Sequence, residues 1–230
     1  MSNYRNFINE INQVIPLLEG DLVDNTIDEE TREDLADMLF SYILKRTIAL
    51  YSSKADKEAV TQSLLKAIEA FENGFKWEGF EKSYGMYDQI IWILSLAILC
   101  EINDDDLQRI VAIIQRDNAK DRLIKTLVNY RLPNEIDESS TNYIQKSPYA
   151  ALDLLVIGSR KDTGFIKNYL DKKWYQGHTD TPWHDSHKNT KVNTFFGYWS
   201  WETAALIKIY NINDHSLKNQ QYYPYRAVHW

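Results

Sequence analysis

Residues 86–101 constrain the fold more than any other stretch. Ile90, Ile91, Trp92, Ile93, Leu94, Leu96, Ala97, Ile98 and Leu99 leave almost no polar face. The apolar run Ile90–Cys100 is about 11 residues long, whereas a bilayer span needs about 20. A helix that is apolar all round must therefore be covered by protein on every side. The rest of the chain has to supply the elements that cover it.

The flanking sequence offers amphipathic helices. Phe7, Ile8, Ile11, Val14, Ile15 and Leu18 fall at helical spacing over 4–18. Leu35, Met38, Leu39, Tyr42, Ile43, Ala49 and Leu50 form a second stripe, and Val60, Leu64, Ala67, Ile68, Phe71 and Phe75 a third. Thr31-x-x-Asp34 reads as a capping box, and Ser53-x-x-Asp56 as another helix start. The segment Gly74–Gly85 interrupts the pattern with three glycines. Asn103, followed by Asp104, Asp105 and Asp106, predicts the start of a further helix, where acidic groups complement the dipole. Leu123, Ile124, Leu127 and Val128 mark one more. Only 8 Gly and 5 Pro punctuate 230 residues, too few for most many-stranded architectures. The prediction is an all-α fold: a two-part bundle of antiparallel helical hairpins, whose regularity also suits a solenoid-like stack.

Periodicity stops between Arg131 and Ser147. This predicts an N-terminal helical domain over 1–132, a linker over 133–147 and a C-terminal helical domain over 148–230. Ser147-Pro148 reads as an N-cap with proline at the first helical position. Ala151, Leu152, Leu155 and Val156 form a short helix closed by Gly158, and Phe165, Ile166, Tyr169 and Leu170 mark another. Residues 174–194 read as a polar loop, and 195–210 as a buried helix entered through aromatics.

Charge divides the chain in the same way. Residues 1–146 hold 16 basic and 26 acidic residues, a net of −10; residues 147–230 hold 10 and 7, a net of +3. A negative surface of this kind disfavours direct binding to nucleic acid or anionic membrane, and suits a basic protein partner. The acidic groups cluster at Asp28, Glu29 and Glu30, at Asp104, Asp105 and Asp106, and at Glu135, Asp137 and Glu138. Each cluster also reads as helix caps on a solvated face. The single Cys100 cannot form an intramolecular disulfide, and the polar start lacks a signal-peptide core. A cytoplasmic protein is expected, with a homodimer left open.

Motifs for chemistry are sparse. His178, His184, His187 and His215 lie near Asp180 and Asp185, and His184, His187 and Asp185 are candidate metal ligands for a hydrolase. The spacing falls in a loop without cysteine, so a hydrogen-bonding role for His187 fits better. Glu202 is the lone carboxylate on an apolar helix; it suits an internal acceptor, bonded by His187 or a tyrosine, that pins the 174–194 loop. Gly197-x-x-Ser200 is not a nucleophile elbow, and no phosphate-binding glycine loop is present. No catalytic residue and no cofactor is expected. A helical scaffold or adaptor is the remaining alternative.

One block is more specific. His187-Lys188, then Phe196-Gly197-Tyr198-Trp199-Ser200-Trp201-Glu202-x-Ala204-Ala205-x-x-Lys208, then Tyr222-Tyr223-Pro224, resembles the C-terminal domain of the PoNe immunity (PoNi) family. Tyr51-Ser52 and Ile91–Leu99 are similar to its N-terminal companion domain. In the family pattern an acidic residue often follows Tyr-Pro-x, where Arg226 stands here. The resemblance implies an all-α inhibitor of PoNe toxins, which are DNases with a restriction-endonuclease-like core delivered by type VI and related secretion systems. It further implies that His187, Gly197, Tyr198, Trp199, Trp201, Glu202, Lys208, Tyr223 and Pro224 build the core. Toxin recognition would then fall to exposed positions, the acidic clusters among them.

Overall fold

The computed structural model describes residues 2–75, 84–137 and 139–230. Among these residues the regular elements are helical and no strand occurs, so the expected all-α class holds. The helices are α1 (Ser2–Leu22), α2 (Glu29–Ser52), α3 (Lys57–Gly74), α4 (Tyr84–Cys100), α5 (Asp104–Arg116), α6 (Arg122–Asn129), α7 (Asp153–Val156), α8 (Thr163–Tyr169), α9 (Trp201–Ile209) and α10 (Tyr225–Val228). The expected interruption between Gly74 and Gly85 lies largely outside the described residues. The chain groups into two compact units, 1–78 with 185–197, and 79–184 with 198–230.

The first unit is built on α2, which packs against α1 and α3. Phe40, Phe71 and Phe75 form its aromatic centre, with ring centroids 4.6–5.7 Å apart. Arg46 ties the three helices together, donating to Asn12 Oδ1 at 2.6 Å and Ser63 Oγ at 2.9 Å. Residues 185–197 join this unit through Phe196. Its carbonyl accepts from Ser52 Oγ at 2.8 Å, and its ring lies 6.0 Å from that of Phe7.

Helix starts follow the capping rule, but not always at the expected residue. Asp28 caps α2, its carboxylate accepting from the Thr31 amide at 2.7 Å. The Thr31/Asp34 box is therefore corrected: those residues already lie inside the helix. Asp56 caps α3 by accepting from Ala59 N at 2.8 Å, whereas Ser53 terminates α2. Asn103 caps α5 as expected, accepting from Asp106 N at 2.8 Å.

In the second unit α4 is the covered central helix that its sequence demands. Ile90, Ile91, Ile93, Leu94, Leu96, Ala97 and Leu99 are fully buried. It packs against α9, α6, α5 and α10. Residues 139–147 run beside α6: the buried Asp121 carboxylate caps α6 at Leu123 N and Ile124 N, and also accepts from Ile144 N at 2.8 Å. Arg122 N donates to Asn142 O at 2.8 Å.

Ser147–Pro148 is a cis peptide followed by a 3₁₀ turn over Tyr149–Leu152 with no side-chain cap, so Ser147 does not cap an α-helix. The 195–210 helix begins only at Trp201. Gly197 has φ 117°, which is outside helical space, and Ser200 N donates to Tyr222 O at 2.8 Å. Both features hold the aromatic lead-in away from the helix.

Candidate functional site

Helix α4 carries Asp88, a carboxylate buried at 0% exposure in an otherwise apolar helix. Three partners converge on it. Tyr149, from the 3₁₀ turn, donates to Oδ1 at 2.5 Å. Trp183 donates Nε1–H to Oδ2 at 2.7 Å. His178 brings Nε2 to 3.2 Å from the Tyr149 hydroxyl and 3.6 Å from Asp88 Oδ1. Its Nδ1 lies 2.6 Å from the Trp174 carbonyl, which can only accept, so Nδ1 carries a proton. Burial pushes the imidazole down, but the Asp88 charge, its hydrogen bonding and the Trp174 carbonyl outweigh that and raise it overall. The arrangement is a buried imidazole–carboxylate cluster closed by a tyrosine and a tryptophan.

Glu202 on α9 extends this polar core. It is fully buried, and its Oε1 accepts from Ser200 Oγ at 2.7 Å and Tyr169 OH at 3.1 Å. Its Oε2 has no hydrogen-bond partner among the described residues. Burial raises its pKa, and the Ser200 bond and the His178 charge oppose this only in part. Glu202 is thus the internal acceptor expected, with a tyrosine partner. That tyrosine comes from α8, and it is Asp88 that holds Trp183 and His178 of the 174–184 segment. His187, expected to hydrogen-bond a buried partner, is exposed and sets its ring edge-on to Phe195 at 5.9 Å, and the buried imidazole is that of His178, 1% exposed.

The rest of the aromatic–glycine block is structural in its geometry. Trp201 is 1% exposed. Tyr198 lies against Tyr175 and Trp183, with centroids at 5.2 and 5.6 Å. Lys208 reaches Leu99 O at 3.3 Å and Glu101 Oε1 at 3.0 Å, neutralising the end of α4. Tyr223 donates to the buried Asp214 Oδ2 at 2.6 Å. Pro224 precedes α10, in which Arg226 stands over the Trp230 ring. Trp199 is half-buried.

The acidic candidates are placed differently. Asp28, Glu29, Glu30, Asp104, Asp105 and Asp137 are exposed. Several serve the fold locally: Asp104 pairs with Arg131, Asp106 with Arg109 at 3.1 Å, and Glu135 accepts from Gln115 at 2.7 Å. Asp137 accepts from Ser139 N at 2.8 Å. Glu29, Glu30 and Asp105 have no intramolecular partner among the described residues. Glu138 lies outside the described residues.

The metal-ligand candidates take up other contacts. The His184 ring lies tilted against that of Tyr175, centroids 4.2 Å apart, and Asp185 accepts from Lys188 at 2.8 Å. Among the described residues no group of three or more His, Cys, Asp or Glu is placed to hold a metal ion.

A helical protein knit by internal polar bonds, with its spare carboxylates on the surface, is the class this geometry defines. The family comparison narrows it. The N-terminal model of the PoNe immunity proteins matches residues 5–112, and the C-terminal model matches 119–226. The chain belongs to the PoNe immunity protein (PoNi) family, whose members inhibit toxins and are not enzymes. The metal-hydrolase reading is set aside on that ground. The crystal structure of protein PA2201 from Pseudomonas aeruginosa is similar at TM-score 0.73 and 14% identity, over 99% of this chain and 87% of that one. At that identity the likeness shows the fold alone. Comparison with curated proteins gives no match.

Proposed function

We propose that this protein binds and neutralises a cognate PoNe-type DNase in the cytoplasm of the cell that makes it, covering the nuclease's active site or its DNA-binding surface. The observation that carries the reading is the match of both family halves, 5–112 and 119–226. Charge supports it. A DNA-cleaving domain must present a basic surface to phosphates, and residues 1–146 of this chain carry a net of −10. The exposed carboxylates of Glu29, Glu30 and Asp105 are free to meet such a surface. Delivery of the toxin by a type VI or related system fits an antidote kept inside the producer.

Co-expression with the toxin encoded beside this gene tests the reading. Cells making the toxin should survive, with intact DNA, only when this chain is present. Continued DNA degradation despite good expression would overturn it.

A further inference from the structure

Helices α1, α2 and α3 leave a hollow of about 510 Å³ between them. Each helix contributes one stripe at helical spacing. Glu19, Leu22 and Val23 come from α1 and its end, and Ala36, Leu39 and Ile43 from α2. Lys66, Glu69, Ala70 and Asn73 come from α3. The hollow exists because small residues stand where the helices come together. A Cβ added at Gly74 would sit 2.5–2.7 Å from Ala36, so α2 and α3 touch backbone to backbone there. Ala36 and Ala70 then leave apolar space unfilled.

The wall is held ready. Arg32, the only base in residues 19–37, donates to Leu22 O and, at 2.9 Å, to Asp24 O. It fixes the end of α1, so that Val23 remains 75% exposed at the mouth of the groove. Nine acidic residues share that stretch, and Glu19 and Glu69 stand on the groove itself. The floor is apolar, and the rim carries Glu19 and Glu69 with Lys66 as its one base.

We propose that this groove receives an amphipathic helix of the cognate toxin, apolar on its buried face and basic along its flanks. The proposal rests on the immunity reading and names the surface that serves it. A groove lined at i, i+3, i+4 and i+7 spacing suits a helix laid into it by the same spacing. Charge complementarity selects the occupant. A second copy of this chain bringing the same face would set the acidic stretch 19–37, nine acidic residues to one base, against its own counterpart, whereas a basic segment is drawn in and oriented.

The test measures binding of catalytically inactivated toxin to wild type, Val23→Lys, Glu19→Lys/Glu69→Lys and Asp104→Lys/Asp105→Lys. These substitutions are on exposed side chains, and unchanged thermal melting confirms the fold. Val23→Lys is expected to weaken binding about tenfold or more. Glu19→Lys/Glu69→Lys should slow association about tenfold at low salt. Normal binding by both groove variants overturns the inference and leaves the immunity reading intact, most clearly where Asp104→Lys/Asp105→Lys alone loses binding. Failure of wild type itself to bind overturns the immunity reading, and the inference with it. A toxin-free dimer abolished by Val23→Lys would assign the groove to a second copy and overturn the inference.

Discussion

Asp88 joins α4 to Tyr149, His178 and Trp183 within the second unit. It accepts from Tyr149 and Trp183 and faces His178 at 3.6 Å, all of them buried. Removing one partner of a buried pair leaves the other unmatched, which costs about 3–5 kcal/mol. Asp88→Ala is therefore expected to lower unfolding stability by that amount in urea titration; a loss below about 1 kcal/mol would contradict the assignment. Glu202 and His178 make stability depend on pH in one direction. Both are raised in the folded state, from ordinary values of 4.5 and 6.5. The folded protein thus holds more protons than the unfolded chain, and stability falls as pH rises through these groups. Unfolding measured from mildly acid to mildly alkaline pH should show this decline, and Glu202→Gln should flatten it. An unchanged slope in the variant would remove Glu202 from the explanation. Glu202 was legible as a lone carboxylate in an apolar helix. Asp88 gives the same signal, but its partners stand 61 and 95 residues away, and spacing along the chain says nothing about such meetings.

At the scale of elements, hydrophobic period and caps placed most helices, because both are local. Residues 86–101 read as a covered helix, and α4 is one. Asn103 read as a cap and is one. Local pattern is ambiguous where several capping residues compete. Asp28 precedes Thr31 by three residues, and the helix extends to the earlier cap. The 195–200 segment has helix-compatible side chains, but the Gly197 backbone and the bond from Ser200 N to Tyr222 O place it outside the helix. Caps should rank by burial. Asn103→Ala, at an exposed cap, should cost about 1 kcal/mol. Asp121→Ala leaves three backbone N–H groups without their acceptor, and should cost roughly 3 kcal/mol or more. Equal losses in urea unfolding would contradict this ranking.

Over the whole molecule, composition located the charge, and the charge points to a class of partner. It could not show how the chain closes on itself. Residues 185–197 belong with α1–α3 across more than a hundred intervening residues, and nothing in their local pattern announces it. Nor could periodicity reveal the groove, which depends on Ala36, Ala70 and Gly74 coming together. The division at 133–147 remains a proposal drawn from the loss of period. If acidic contacts guide encounter with the toxin, the association rate should drop about tenfold or more between roughly 0.05 and 0.5 M salt, while dissociation changes little. Salt-independent association would assign recognition to apolar contact alone.

The central claim is that this chain inhibits a DNA-cleaving toxin by binding it. Titrating purified active toxin with this protein, and following cleavage of linear DNA, tests that most directly. Cleavage should fall in proportion to added protein and cease near one equivalent. Undiminished cleavage at a large excess of folded protein would contradict the account.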